Sequence, residues 1–320
     1  MSLSRDELQV LSACAEISAA PQDKGDGREI LDNICGILGC ERAEISNLVP
    51  LQEGLTNLSF RFTCRDNVYV YRHPGAGTDE IINRHSEAYS QSVAKKLGID
   101  DTFIHEDGEA GWKVSIYLDN CIAFDYHNED HVERGLALAR TLHTSGEVSA
   151  WHFDVYEKAL EIIALLESRT YPVFRDFDEL KNRTSKLNDW VKADGVPSCL
   201  CHNDFYQPNF LVLDDAMYLI DWEYSAMSDY ASDLGTFICC SDYTFEEAKA
   251  VITQYFGRTP TEAEMRHCLA YVGISAYYWF VWALFKESAG DSVGEWLTLW
   301  HQAAQTYGKY AEELYEKGSR

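Results

Sequence analysis

The spacing of hydrophobic residues first predicts helices and then strands. Residues 4–39 show helical spacing in two short segments, the first opened by a capping box of Ser4 and Glu7. From about residue 45 apolar residues alternate with polar ones, and the turn-forming pair at residues 66–67 separates two such runs. This stretch therefore predicts a β-hairpin.

A helix capped by Thr78 is expected next, carrying Ile82 and ending near Gly98, and residues 112–118 predict one more strand. The rest of the chain shows mainly helical spacing. The predicted helices are 129–144, 154–169, 178–194, 245–256, 261–287 and 291–316, with a short β segment at 198–220. The order indicates an α+β protein, with a small β-rich lobe before a larger, mainly helical lobe.

Composition excludes several classes of protein. The chain has 320 residues and a formal net charge of −25, which would repel a nucleic-acid backbone. No apolar run approaches the roughly 18 to 20 residues of a membrane-spanning helix, and Arg5, Asp6 and Glu7 do not suit a signal peptide. We therefore expect a cytoplasmic protein with neither a nucleic-acid nor a membrane partner, as monomer or homodimer.

Ten cysteines are scattered through apolar segments, which favours free thiols in a reducing compartment. No Cys-x-x-Cys pair occurs. Cys199 and Cys201 are expected to point to opposite faces of a strand. A zinc site is therefore not expected.

Candidate chemistry is concentrated in residues 201–224. A turn holding Asp204 ends at Asn209, and a hairpin then delivers Asp221 beside Asn209. Phosphoryl transfer requires such a set, with a carboxylate to orient the attacking hydroxyl and hard oxygen ligands for Mg²⁺. Alone, each half of the motif would also suit ordinary turn residues.

The sequence His202-Asn-Asp204, with Asn209 and then Ile-Asp-Trp-Glu-Tyr, resembles the choline/ethanolamine kinase family and, more distantly, the aminoglycoside phosphotransferases. The resemblance implies a protein kinase-like two-lobe fold that uses ATP and Mg²⁺. We expect an N-terminal helical extension at 1–45, a nucleotide-binding lobe at 46–119 and a catalytic, acceptor-binding lobe at 120–320. It implies catalysis by Asp204 and a metal held by Asn209 and Asp221.

Upstream residues match the ATP site that such a fold requires. Thr56 and Asn57 lie in a segment that resembles the family's nucleotide loop. Arg72 ends a strand where protein kinases have a lysine, and Glu87 on the next helix is its expected partner. Arg84 on the same helix could equally pair with Glu87.

The acceptor is expected to be a small amino alcohol. Glu223 follows the metal aspartate, and Trp279 and Trp282 share a helix face, as aromatic walls of a quaternary-ammonium site would. Tyr243 is added to this site by analogy, whereas Trp296 and Trp300 are assigned to packing. Choline is the predicted substrate. Ethanolamine, thiamine or an aminoglycoside, and a catalytically inactive nucleotide-binding scaffold, stay open.

Overall fold

The structure is a computed structural model that describes residues 4–18, 27–51, 58–74 and 82–318. The chain divides into two compact units, Met1–Cys121 and Ile122–Arg320. Three residues singled out in the sequence, Thr56, Asn57 and Thr78, lie outside the described residues.

In its described residues, the first unit contains a five-stranded antiparallel sheet and three α-helices. Its strand order is β1-β2-β3-β5-β4. In chain order the elements are α1 (Arg5–Ser18), α2 (Arg28–Leu38), β1 (Ile45–Leu51), β2 (Leu58–Cys64), β3 (Asn67–His73), α3 (Arg84–Lys96), β4 (Phe103–Glu106) and β5 (Lys113–Ile116). Strand β4 is absent from the sequence prediction.

The core of this unit joins the N-terminal helices to the sheet. Leu11 of α1 and Ile34 of α2 are buried in one cluster with Phe60, Phe62 and Tyr71. Alternation along β2 places its large side chains on the face that the helices cover. The predicted hairpin is confirmed, with Phe60 opposite Tyr71, and α1 and α2 both contribute buried side chains to the core of the unit.

Of the helix caps predicted in this unit, the one at Ser4 lies on described residues. This capping box is confirmed, since the Ser4 and Glu7 side chains each accept a hydrogen bond from the other's backbone N–H. The cap expected at Thr78 lies outside the described residues, but the placement of Ile82 within a helix is wrong. Ile82 precedes α3, whose N-cap is Asn83, because the Asn83 side chain accepts from the Ser86 N–H.

The second unit is mainly helical and contains two small antiparallel sheets, β6 with β9 and β7 with β8. Its elements are α4 (Glu129–His143), α5 (Val155–Leu166), α6 (Phe177–Ala193), β6 (Cys199–Cys201), β7 (Phe210–Val212), β8 (Met217–Leu219), β9 (Ala226–Ser228), α7 (Ala231–Cys239), α8 (Phe245–Phe256), α9 (Glu262–Ser288) and α10 (Trp296–Gly318). Every predicted helix of this unit is present. Helix α10 begins five residues later than expected, and α7 and β9 are additional.

Helix α9 is the centre of the second unit. Among the described residues it alone is long and apolar enough to cross a membrane, but most of that stretch is buried in the protein interior, as in a core helix. It packs closely on its neighbours. The Gly235 position of α7 lies against the Tyr271 carbonyl, and Gly273 lies against Gly308 of α10.

Candidate active site

The candidate catalytic loop, residues 202–209, begins where β6 ends. Its first backbone groups are held by one buried carboxylate, because Asp233 accepts hydrogen bonds from the N–H groups of His202 at 2.9 Å and Asn203 at 2.6 Å. Asn203 has a φ of 64°, a left-handed conformation that asparagine tolerates better than most residues. These contacts fix the direction in which the chain reaches Asp204.

Asp233 was missed as a site residue in the sequence. It lies at the start of α7 in an otherwise apolar run, and a lone carboxylate in such a run is the signal that could have identified it. Its partner is His143 of α4, with Nε2 of His143 and Oδ2 of Asp233 2.8 Å apart. Burial lowers the pKa of His143, but the hydrogen bond and charge of Asp233 outweigh it, so the net shift is upward.

His202 is a neutral structural residue. Its Nε2 lies 3.0 Å from the Ile220 carbonyl, so Nε2 is the donor, and Nδ1 accepts from the Asp204 N–H at 3.3 Å. Burial lowers its pKa. With both ring nitrogens on backbone groups, His202 connects the loop to the residue that precedes Asp221.

Asp204, Asn209 and Asp221 are held close together. The amide nitrogen of Asn209 donates to both the carbonyl and the carboxylate of Asp204, each at 2.8 Å. The N–H of Ile220 donates to the Asn209 carbonyl at 2.9 Å, which holds Asp221 beside Asn209. Asp221 has a φ of 67°, a strained conformation of the kind found at functional sites.

Asp204 is a buried acid among other acids. Burial, followed by the charges of Asp221 and Glu223, raises its pKa well above the ordinary value, and the Asn209 hydrogen bond acts in the opposite direction. Such a group is stabilised as a carboxylate when a cation is nearby.

The same arrangement fits a hard cation. Because the amide nitrogen of Asn209 is committed to Asp204, its amide oxygen is the atom that could ligate a metal. Asp221 supplies a carboxylate on the adjacent strand end. Oxygen donors of this kind suit Mg²⁺.

The predicted aromatic residues form a connected cluster in the second unit. Trp279 and Trp282 are buried, with ring centroids 5.8 Å apart, and the Trp279 indole donates to the Thr236 hydroxyl at 3.2 Å. Trp300 is also buried and lies 5.8 Å from Trp279. Trp279 thus packs within the unit.

Half-buried Trp296 extends this cluster toward the catalytic loop. Its ring stacks on Trp300 at 5.1 Å and meets the edge of Tyr206 at 6.2 Å. Burial, followed by the charge of Asp204, raises the pKa of Tyr206, so this phenol lies within the field of the catalytic carboxylate. Tyr206 was missed in the sequence, although it stands only two residues after Asp204.

The other predicted acceptor residues differ in their surroundings. Glu223 is buried and its charge raises the pKa of Asp204. Tyr243 is half-buried, and its hydroxyl donates to the Tyr126 carbonyl. The Tyr126 hydroxyl in turn accepts from the Gln207 N–H at 3.1 Å, so Tyr243 is connected to the catalytic loop through Tyr126.

Trp222 directly follows Asp221 and is an interior residue. Its indole is fully buried, 4.7 Å from the His202 ring, and donates to the Leu219 carbonyl at 3.0 Å.

The first unit brings three cations to Glu87, which is fully buried. Arg72 bonds its Oε1, Arg84 bonds its Oε2 at 3.0 Å, and the Lys113 ammonium lies 3.4 Å from Oε1. Both sequence candidates, Arg72 and Arg84, are therefore partners of Glu87. Lys113 was missed because its proximity follows from β3–β5 pairing, which places it opposite Arg72.

One expectation about the cysteines is wrong. The sulfur atoms of Cys199 and Cys201 are 3.6 Å apart on the same face of β6. Residues two apart on a strand share a face, because the side-chain period of a strand is two.

Comparison with known proteins identifies choline/ethanolamine kinases among the relatives of this chain. Residues 148–278 match the family model described as choline/ethanolamine kinase. The chain is 25% identical over 257 residues to protein LicA of Haemophilus influenzae, covering 76% of this chain and 74% of the relative. It is 33% identical over 261 residues to the choline/ethanolamine kinase of Rattus norvegicus, covering 72% and 65% respectively.

Solved structures agree. The crystal structure of choline kinase LicA from Streptococcus pneumoniae superposes with a TM-score of 0.75 at 25% identity, covering 88% of this chain and 98% of that one. The protein kinase-like fold predicted from residues 202–221 is thereby confirmed.

Proposed function

We propose that this chain phosphorylates choline, because it is similar to choline/ethanolamine kinases and to protein LicA. The γ-phosphoryl group of ATP passes to the choline hydroxyl, giving phosphocholine and ADP. The O–P bond to the ADP leaving group breaks as the bond to the choline oxygen forms.

Asp204 is the residue that meets the acceptor hydroxyl. Its carboxylate orients that hydroxyl and accepts its proton as the phosphoryl group is transferred. Asn209 keeps the Asp204 side chain in place through a 2.8 Å hydrogen bond. Asp233 and His202 hold the loop backbone in place. Asp204 is therefore already positioned before the reaction, and little conformational entropy is lost in the transition state.

Asn209 and Asp221 would hold Mg²⁺ through their side-chain oxygens. The ion, when bound, neutralises charge on the ATP phosphates. Arg72 is assigned to ATP binding on the family resemblance, as a fixed positive charge, and Glu87 orients its guanidinium.

The observation that carries the choice of acceptor is the negative charge of two buried carboxylates beside aromatic rings. Asp204 and Glu223 are both buried, and after burial their charges raise the pKa of the Tyr278 phenol. A quaternary ammonium group would be attracted to these carboxylates and would bind favourably to aromatic faces. Trp279, Trp282 and Tyr243 are assigned to this acceptor site together with Glu223.

The direct test is ATP turnover with Mg²⁺ in a coupled assay, using choline, ethanolamine, thiamine and kanamycin as acceptors. We expect kcat/KM for choline to exceed that for each other acceptor at least about tenfold. A higher kcat/KM for ethanolamine would retain the reaction and overturn the choice of choline. Turnover with none of the four would contradict the proposed function.

A substitution tests the aromatic site. Trp279→Phe keeps a ring but removes the indole, the strongest cation-binding face. We expect KM for choline to rise several-fold with a smaller change in kcat. Trp190→Phe is the matched control, because Trp190 stacks on Tyr315 at 5.1 Å and touches none of the proposed acceptor residues among its described ring contacts. Equal effects of both substitutions on KM would exclude Trp279 from the acceptor site.

A further inference from the structure

Strand β6 carries two thiols that phosphoryl transfer does not use. Cys199 and Cys201 point to the same face with their sulfur atoms 3.6 Å apart. Two thiolates on a tetrahedral Zn²⁺, each about 2.3 Å from the metal, lie about 3.8 Å from one another. The pair therefore already has close to the separation of two zinc ligands, whereas a disulfide requires about 2.05 Å.

A histidine completes the cluster. His143 of α4 offers a ring nitrogen such that the three ligand atoms all lie within 4.8 Å of one another. Two sulfurs and one imidazole form a donor set that thiophilic cations prefer over the oxygen ligands that suit Mg²⁺.

The environment of His143 matches that of metal-binding histidines. Such residues usually donate their second ring N–H to a carboxylate, which fixes the ring orientation and raises ligand basicity. His143 Nε2 already lies 2.8 Å from Asp233. Its Nδ1 lies 2.8 Å from the Tyr255 hydroxyl, a neutral group that a metal ion can replace without unpairing a charge.

The three side chains of the cluster differ in their exposure to solvent. The His143 side chain is only 2% exposed and Cys201 is fully buried, whereas Cys199 is half-buried and leaves a path to solvent. A hydrogen bond from Cys201 lowers the pKa of the Cys199 thiol, and the His143 charge acts in the same direction against the effect of burial. The more accessible thiol is thus the one that ionises more readily.

We propose that Cys199, Cys201 and Nδ1 of His143 bind one thiophilic divalent cation, of the class of Zn²⁺ and Cd²⁺, immediately behind the catalytic loop. Binding releases the two thiol protons and the Nδ1 proton of the charged His143, and it frees the Tyr255 hydroxyl. Asp233 keeps its hydrogen bond to His143, so the cation connects β6 to α4 without displacing the backbone contacts of His202 and Asn203.

The test is a Cd²⁺ titration of the reduced, full-length protein, followed through the ultraviolet absorbance of cadmium–thiolate bonds. We expect Cys199→Ser to lose one equivalent of tight binding relative to wild type. Cys121→Ser is the matched control, because Cys121 is also a half-buried free thiol but lies outside the cluster, and it should retain that equivalent. His143→Gln should weaken the same equivalent about 10- to 100-fold.

Thermal unfolding gives a second measurement. Cd²⁺ at 100 times its Kd should raise the unfolding temperature of wild type and Cys121→Ser, but not of Cys199→Ser. Other thiols also lie near one another in the first unit, where Cys40 interacts with Cys35 and Cys64. Because wild type and Cys199→Ser both keep these thiols, the difference in Cd²⁺ binding between the two proteins reports on the Cys199 cluster alone. Equal stoichiometry and affinity in wild type and Cys199→Ser would overturn the proposal, as would unchanged affinity in His143→Gln. Neither measurement depends on kinase turnover.

Discussion

At the scale of single residues, Asp204 is a buried carboxyl group close to other negatively charged carboxylates. Its side chain is 8% exposed, and burial together with Asp221 and Glu223 raises its pKa. An acid whose pKa is raised on folding stabilises the fold below its unfolded pKa, and that stability is lost as pH rises through the folded pKa. At neutral pH, which is above the unfolded pKa, placing Asp204 in this environment therefore lowers the stability of the free protein, a cost typical of functional residues.

The Asp204→Asn substitution should separate the catalytic role of Asp204 from its effect on stability. We expect turnover to fall by at least about three orders of magnitude, because the base is lost. The unfolding temperature should rise by about 2–4 °C at pH 7.5, because the cost of burying an ionisable group beside other carboxylates is removed. The measurements are coupled-assay kinetics and thermal unfolding. Asp214→Asn, at an exposed turn position, is the control and should change neither. An Asp204→Asn protein that unfolds at a lower temperature than wild type would contradict this account.

Glu87 presents the opposite case, a buried anion with three cations. Glu87→Gln leaves Arg72, Arg84 and Lys113 without their shared counter-charge, so we expect a loss of about 3–5 kcal/mol in unfolding free energy. Urea denaturation provides the measurement.

An exposed glutamate of the same unit serves as the control for Glu87. Glu44 pairs with Arg65 at 2.9 Å, but both side chains are largely solvent-accessible. Glu44→Gln should cost less than about 1 kcal/mol. Similar losses for the two substitutions would show that the Glu87 cluster contributes no more than a surface ion pair.

At the scale of elements, the contact between α7 and α9 positions the catalytic loop. Helix α7 carries Asp233, which holds the loop backbone. A Cβ atom at Gly235 would lie 2.5 Å from the Tyr271 carbonyl oxygen of α9. Real Cβ atoms do not approach so closely, so the two helices must separate if Gly235 is replaced.

Gly235→Ala should therefore destabilise the protein by about 1–3 kcal/mol and lower turnover, through displacement of Asp233. Gly36→Ala is the matched control, because Gly36 is exposed on α2 and a methyl group added there would have no heavy atom within 4 Å. That change should be neutral or stabilising by up to about 1 kcal/mol. Urea denaturation and kcat measure both. A Gly235→Ala protein as stable and active as wild type would refute this role of the α7–α9 contact.

At the scale of the whole molecule, buried ion pairs connect helices distant in sequence. His267 of α9 lies 2.9 Å from Asp194 at the end of α6 and 3.0 Å from Asp229 before α7. Burial lowers its pKa, but the two carboxylates outweigh burial and the net shift is upward. The other titratable groups around this cluster are Arg266, Tyr230, Tyr271 and Tyr315.

This arrangement predicts pH-dependent stability. Because the pKa of His267 is raised on folding, its contribution is complete below the unfolded pKa near 6.5 and declines as pH rises through the folded pKa. We expect His267→Gln to cost about 3 kcal/mol at pH 6 and less at pH 9, measured by urea denaturation. His85→Gln, at an exposed histidine, is the control. A cost that is equal at both pH values would contradict a charged His267.

The fold class and the catalytic motif follow from the amino-acid sequence without a structure, since both depend on local information. Hydrophobic periodicity records which helix face is buried, and Asp204, Asn209 and Asp221 lie within one loop and hairpin, where spacing predicts proximity. Contacts between residues far apart in the chain come from tertiary structure alone. The Asp233–His143 pair, Lys113 beside Glu87 and Trp296 beside Tyr206 depend on how distant elements pack, and no local pattern encodes that packing.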